Sequence, residues 1–345
     1  VEQLPESQRS NGVLQAANSD DRYNPHGLTD LWLQTLARKS ANTCKLYERA
    51  LSSWLTYCHG QNVHPFEARR ADVDDWLLSL GPKSASTLNS YQSGVRNWYR
   101  YLGRNGATEA DPVGAENRSP VDRDVSNTAS LDQEEMSRLL DYASKHADET
   151  GTETAVRNCA MLRLMLTTGV RSAAVLASTV GQIQINRGHR VLEYRNKGGK
   201  RRQVPLAPYV TVTLDRYHQI RADRHGIRRD ELSGLLFVSA PYRGPTKTGD
   251  RQLDSKDLGE ILRRYARKAG IESHDQLVPH STRHSVITNA LAQGISLPKV
   301  QDLAGHADPR MTRLYDHSRN RLDDSPAYQM AAFISEHSNY HPQRD

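Results

Sequence analysis

The chain has 345 residues, with 46 Lys and Arg against 40 Asp and Glu, for a formal net charge of +6. That length suits two domains of ordinary size, and the basic excess suits a polyanionic partner without demanding one. No apolar run approaches a membrane span, and Val1 to Pro5 form no secretory leader core. The three cysteines, Cys44, Cys58 and Cys159, have neither metal-ligand spacing nor an even disulfide count, so they are expected as core filler in a reducing cytosol.

Residues 1–27 are rich in Ser, Asn, Asp, Gln and Pro and predict a flexible tail. From Leu28 the pattern turns helical. Leu28, Leu31, Trp32 and Leu36 form one apolar stripe; Leu46, Ala50, Trp54, Leu55 and Cys58 form a second that ends near Gly60. A third helix is expected over 71–80, with Asp72 in its first turn and Gly81-Pro82 as its stop. A fourth is expected over 84–102, through Leu88, Tyr91, Val95, Trp98 and Leu102. Periodicity is then lost over a stretch containing Asp111-Pro112 and Ser119-Pro120, which reads as a linker.

A helix begins again at Asp132, with Glu135 placed for a capping box. Residues 155–168 are densely apolar, predict a core helix and end at Gly169. Between 180 and 206 short alternating segments flank Asn196-Lys197-Gly198-Gly199-Lys200, which predicts a small antiparallel sheet with a basic hairpin. Helices are expected over 210–224, 255–268, 283–292 and 298–303, with a last one over 326–335. The fold class is therefore mainly α with a small antiparallel β-sheet.

The chemistry concentrates near the C-terminus. His280, Arg283 and His306 precede Tyr315 at spacings that a fold could close into one site. A tyrosine hydroxyl titrates near pH 10, so its attack on phosphorus requires a base or cationic assistance, and these three could supply both. Each motif alone also fits an ordinary packing role, and the histidines could instead be metal ligands, although no Asp, Glu or Cys stands at ligand spacing. Arg171, after the Thr167-Thr168-Gly169-Val170 break, is either a surface ion-pair partner or a planar fork for two phosphate oxygens. Arg195, Lys200, Arg201 and Arg202 crowd the hairpin in a way that suits a DNA backbone. Lys197 at its turn could donate a proton to a leaving alkoxide.

Together these segments resemble the tyrosine recombinases of the lambda-integrase and Xer type, from Leu28 onward. Thr168-Gly169-Val170-Arg171 is similar to the family's first arginine box, and Asn196 to Leu206 to its sheet-turn lysine motif. His280-Ser281-Thr282-Arg283-His284-Ser285 resembles the second box, and Leu303 to Asp308 followed by Tyr315 the terminal one. Two positions depart from the pattern. Ala174 stands where the family has an acidic residue, and Thr282 where it has an apolar one, which puts helix anchoring and local packing in question.

The resemblance implies a helical core-binding domain over 28–103, a linker over 104–129 and a mixed α/β catalytic domain over 130–320. A C-terminal helix and tail over 321–345 would serve subunit contacts, and the two domains would clamp the duplex. It implies that Tyr315 attacks the scissile phosphate to give a 3′-phosphotyrosyl link, with Arg171 and Arg283 stabilising the phosphorane. Lys197 would protonate the leaving 5′-oxygen, His280 assist proton transfer and His306 hydrogen-bond the phosphate, with no metal, ATP or other cofactor. Strand exchange would pass through a Holliday junction. The implied partners are double-stranded DNA carrying a specific site and a homotetramer on two sites, monomeric or dimeric when free, with accessory DNA-bending factors and no membrane. The implied setting is the nucleoid-associated cytoplasm of a prokaryote, or of a phage or mobile element's host. Two alternatives are a type IB topoisomerase-like nicking-closing enzyme and a non-catalytic DNA-binding regulator on the same fold.

Overall fold

The computed structural model describes residues 24–114, 118, 128–195, 199–239, 250–306 and 308–315, and five positions between 327 and 334. The chain divides into two compact units, Val1–Asp122 and Arg123–Asp345.

The first unit is four helices: α1 Pro25–Lys39, α2 Ala41–Gly60, α3 Arg70–Ser79 and α4 Ala85–Arg104. α1 starts three residues before the apolar stripe, inside the stretch expected as a tail. Asn24 caps it by accepting from the Gly27 N–H at 2.9 Å, and Pro25 opens its first turn. Asp72 lies in the first turn of α3 as expected, and its carboxylate also caps the helix by accepting from the Arg69 N–H.

All four tryptophans of the chain, Trp32, Trp54, Trp76 and Trp98, lie buried in this unit. Burying an indole is favourable only if its N–H keeps a partner. Each one does: Trp32 donates to Asn97 Oδ1 at 2.8 Å, Trp54 to Tyr99 Oη at 3.0 Å, Trp76 to Ser53 Oγ at 3.2 Å and Trp98 to Thr29 Oγ1 at 2.8 Å. Tyr99 in turn donates to the Pro65 carbonyl at 2.6 Å, tying α2, α4 and the α2–α3 loop together.

The second unit is built on α6, Glu153–Thr168, of whose 16 residues 12 are buried. Around it pack α5 (Gln133–Thr150), α8 (Pro208–His225) and α10 (Pro279–Ala292). The expected capping box opens α5: Asp132 Oδ1 accepts from the Glu135 N–H at 2.8 Å, and Glu135 returns the bond to the Asp132 N–H at 3.0 Å. The sheet is β1 Ile183–Asn186, β2 His189–Arg195 and β3 Arg201–Pro205, antiparallel in that order, with Leu192 opposite Val204 and Tyr194 opposite Arg202. Leu192, Tyr194 and Val204 turn into the core.

A second, two-stranded sheet, β4 Val238–Ser239 with β5 Arg251–Gln252, was not expected from the sequence. Two residues per strand carry no readable alternation, and a polar tie holds it. The buried Arg157 of α6 donates to the Val238 carbonyl at 2.8 Å and to Asn158, which reaches the Tyr265 hydroxyl at 3.2 Å. The remaining helices are α7 (Ser172–Ala177), α9 (Ser255–Lys268), α11 (Leu297–Ala304) and α12 (Pro309–Arg313). Cys58 and Cys159 are buried as expected, whereas Cys44 is only half-buried. Of the helix expected over 326–335, residues 327, 328, 330, 331 and 334 are described and are helical, and the other five lie outside the described residues. No described helix is long and apolar enough to cross a membrane.

Replacing Tyr99 with Phe removes the hydroxyl that serves both Trp54 and Pro65, leaving a buried donor and a buried acceptor unmatched. Y99F should lower the stability of the first unit by about 1–3 kcal/mol. Tryptophan emission during urea unfolding reports this unit alone, since the chain's tryptophans all lie there; an unchanged midpoint would contradict the reading.

Candidate active site

Three helix ends converge in the second unit. α6 terminates at Gly169 in the left-handed conformation, φ 62°, and a Cβ there would meet Val286 Cγ1 of α10 at 3.2 Å. Glycine is therefore required twice, for the turn and for the close approach of α10. The chain then turns so that Arg171 sits at the N-terminal boundary of α7.

α10 begins at Pro279, four residues earlier than the apolar periodicity suggested, because Pro279 opens the first turn and the buried face is polar. Ser281, Thr282, Arg283, His284 and Ser285 are all at most 1% exposed. The three hydroxyls among them are matched. Thr282 Oγ1 donates to the Pro279 carbonyl at 2.9 Å, so a threonine fits the slot where an apolar residue was expected. Ser285 Oγ accepts from the Leu131 N–H at 2.7 Å and Asn289 donates to the Leu131 carbonyl at 2.8 Å, pinning the entry to α5. Ala174 packs against the main core, and α7 is held instead by backbone bonds to the Arg171 carbonyl.

Arg283 is the central side chain. It is 1% exposed, and its guanidinium donates to the Gly169 carbonyl at 2.8 Å and to the Ala304 carbonyl at the end of α11. Among the described residues neither Arg283 nor Arg171 pairs with a carboxylate. Burial and the neighbouring Arg171 push the Arg283 guanidinium down to about 10, still charged at neutral pH. His280, in the first turn of α10 and itself partly open to solvent, is pulled below its ordinary value by desolvation and then by Arg283 and Arg171. His306 follows Gly305, the left-handed end of α11. It is buried, and desolvation, Arg283, Arg171 and His280 together push it down to about 4.

Tyr315 follows α12 in a turn closed by its N–H on the Thr312 carbonyl at 3.1 Å. It is 6% exposed; burial raises its pKa while Arg283 and Arg171 pull it back. Its ring packs on His284, 4.7 Å between centroids, and stacks on His306 at 5.9 Å.

The structure thus brings together Arg171, His280, Arg283, His306 and Tyr315, five of the six residues expected at the site. Lys197 lies outside the described residues. Arg195, Lys200 and Arg201 are exposed on the hairpin, and Arg201 lies 3.7 Å from Glu193. Arg202 is half-buried and turned toward the site, its guanidinium carbon 3.9 Å from where a Gly305 Cβ would stand. Sequence reasoning missed His284, the carbonyls that hold Arg283, and Thr312, which contacts His306. Asp308-Pro309 is a legible helix start that would have revealed α12 and put Thr312 one turn before Tyr315. Among the described residues no group of three His, Cys, Asp or Glu side chains stands close enough to hold a metal ion.

Two guanidiniums without carboxylate partners among the described residues, beside a buried phenol, form a site suited to an anion and a nucleophile. The phage integrase family model matches residues 129–321, and the phage integrase N-terminal SAM-like domain matches 29–106. Tyrosine recombinase XerD of Neisseria meningitidis serogroup A is 30% identical over 221 residues, covering 64% of this chain and 68% of that protein. XerD of Listeria monocytogenes serovar 1/2a is 28% identical over 291 residues, covering 83% and 91%.

Among solved structures, XerH site-specific recombinase in a post-cleavage complex with palindromic difH superimposes with TM-score 0.67 at 20% identity, covering 91% of this chain and 85% of that one. A lambda integrase (75–356) dimer on a COC′ core site gives 0.55 at 17%, covering 87% and 98%. The chain belongs to the phage integrase family, the tyrosine recombinases. It is a site-specific recombinase, an enzyme that cleaves and rejoins DNA, and neither the topoisomerase-like nor the regulator alternative is favoured.

The buried histidines make stability pH-dependent. His306 and His218 of α8 are both held down to about 4, chiefly by desolvation. Below the ordinary histidine value of about 6.5 the unfolded chain takes up protons that the folded chain refuses. Stability from these groups is therefore full above about pH 6.5 and falls as pH drops toward 4, on the order of a few kcal/mol in all. Circular dichroism unfolding should show this loss, and H218Q should flatten it; identical slopes in the two proteins would refute the assignment to His218.

Proposed function

We propose that the chain binds a duplex carrying a specific recombination site and exchanges strands through a 3′-phosphotyrosyl intermediate on Tyr315. The observation that carries this is the pair Arg171 and Arg283, charged, without carboxylate partners among the described residues, and next to the buried phenol. A scissile phosphate entering this pocket supplies the missing negative charge. As the phenol oxygen bonds to phosphorus, charge grows on the nonbridging oxygens, and preset guanidiniums stabilise that growth without reorganising.

The phenol must lose its proton during attack. His280 is the nearby group able to take it, since its lowered affinity keeps the imidazole neutral at physiological pH. The bond to the 5′-oxygen breaks, and Lys197 supplies that oxygen's proton. His306 hydrogen-bonds the phosphate. The ester to Tyr315 conserves the phosphodiester, so the 5′-hydroxyl of a second strand can reverse the step; repeated on both strand pairs, this passes through a Holliday junction. No nucleotide hydrolysis enters this balance.

Arg195, Lys200, Arg201 and Arg202 are assigned to the DNA backbone; the exposure of the first three and the inward turn of Arg202 support this. The DNA partner is supported by the DNA-bound recombinases whose fold the chain shares. Residues 28–103 serve as the core-binding domain, 104–129 as linker, 130–320 as catalytic domain and 321–345 as the segment that contacts a neighbouring subunit. The working assembly is a tetramer on two sites, aided by DNA-bending factors, in a prokaryotic nucleoid.

Sequencing DNA crosslinked to the protein yields the site for a nicked suicide duplex. On that duplex Y315F should give no covalent adduct on a denaturing gel while keeping DNA affinity within about twofold, since only the attacking oxygen is lost. An adduct in Y315F would sink the assignment. K197A should slow cleavage by about a hundredfold or more, within the range for general acid catalysis. A 5′-thio leaving group, which needs no proton, should restore most of the rate; failure of that rescue would leave Lys197 as a backbone contact.

A further inference from the structure

Thr312 is a fully buried hydroxyl beside the site histidine His306. Several other threonines in the helices of the second unit return their hydroxyl to the carbonyl one turn back: Thr167 to Arg163, Thr168 to Leu164 and Thr213 to Tyr209. Thr312 does not. It is 0% exposed, and its Oγ1 lies 2.9 Å from His306 Nδ1, its one hydrogen-bond partner among the described residues. Its carbonyl meanwhile takes the Tyr315 N–H. One buried residue therefore touches the phosphate-binding histidine with its side chain and the nucleophile's turn with its backbone.

The contact with Nδ1 admits donation in either direction, and the chemistry of the site decides between them. His306 is neutral in this cationic pocket, so its ring carries one N–H and one lone pair. Phosphate oxygens only accept hydrogen bonds. With Nδ1 committed to Thr312, Nε2 is the nitrogen left for the phosphate, and it must carry the proton. The other tautomer would aim a lone pair at the phosphate and leave the transition state one donor short. We infer that Thr312 is a positioning residue for catalysis: its hydroxyl donates to Nδ1 and so fixes His306 in the tautomer that presents Nε2–H to the scissile phosphate. The inference rests on the reading of the site as a phosphotyrosyl transferase.

The test compares T312V, which keeps the shape and removes the donor, with T312S, which keeps the donor. Both retain the carbonyl that closes the Tyr315 turn. On the nicked suicide duplex, T312V should cleave about ten- to a hundredfold more slowly, the usual size of losing an orienting partner of a functional histidine. DNA affinity should stay within about twofold, and T312S should cleave within about threefold of the wild type. Equal impairment of both variants would reduce Thr312 to packing, and a wild-type rate in T312V would overturn the inference.

Should T312V fail to fold, nitrogen-15 NMR of the unsubstituted protein still decides. His306 should show a pyridine-like Nδ1 and a pyrrole-like Nε2, and the reverse pattern overturns the proposal. Y315F separates the two levels. A covalent adduct in Y315F defeats the site reading itself, whereas its absence together with a fast T312V defeats only the role of Thr312.

Discussion

A guanidinium buried without a carboxylate is an expensive thing to keep in a protein core, and the second unit is organised around one. Removing Arg283 from water is tolerated because two peptide carbonyls, Gly169 at the end of α6 and Ala304 at the end of α11, accept its N–H groups. Carbonyl dipoles satisfy hydrogen bonds without cancelling charge, so the positive field survives burial. A carboxylate in the same place would have made a quieter core and a pocket of little use to phosphate.

Much of the surrounding architecture follows from that choice. Two helices must end where Arg283 can reach their last carbonyls, and both end in left-handed glycines, Gly169 and Gly305. α10 must approach α6 closely enough for Val286 to touch Gly169, which excludes a Cβ there. The same two helix ends launch Arg171 and His306. The cation proposed to bind phosphate is thus also the bolt that holds the two helix ends carrying Arg171 and His306. Loss of Arg283 would disturb geometry as well as charge, and a lysine, with no planar fork, could not span both carbonyls and keep a face for the ligand.

The elements legible in the sequence were those whose buried face is apolar. The helices of the first unit, α5 with its capping box, α6 and α9 all announce themselves by spacing and caps. The site's own helices were harder. α10 hides its start because its inward residues are Ser281, Thr282, Arg283 and Ser285, and hydroxyls returned to local carbonyls look like surface in a periodicity reading. α12 is one turn long and has no stripe. The chemistry itself was more legible than the packing around it: the arginines, histidines and tyrosine could be named as types, but the carbonyls that hold Arg283 have no side-chain signature. Resemblance to a family supplied the connection between distant segments that spacing alone left open.

Charge placement elsewhere in the unit supports the same view. Arg221 and Arg224 share Asp250, Arg224 also bonds Glu153, Arg190 pairs with Asp215 and Arg251 with Asp257. These arginines are neutralised locally and act as structural ties. Arg171 and Arg283 are not, and Ala174 leaves Arg171 without an acid one helical turn away on α7. Among the described residues, no carboxylate of the second unit pairs with Arg171 or Arg283. A net charge of +6 spread over 345 residues says little about function. The informative quantity is local: the arginines paired with carboxylates tie the fold together, and the two that meet at the buried tyrosine, Arg171 and Arg283, have no such partner among the described residues.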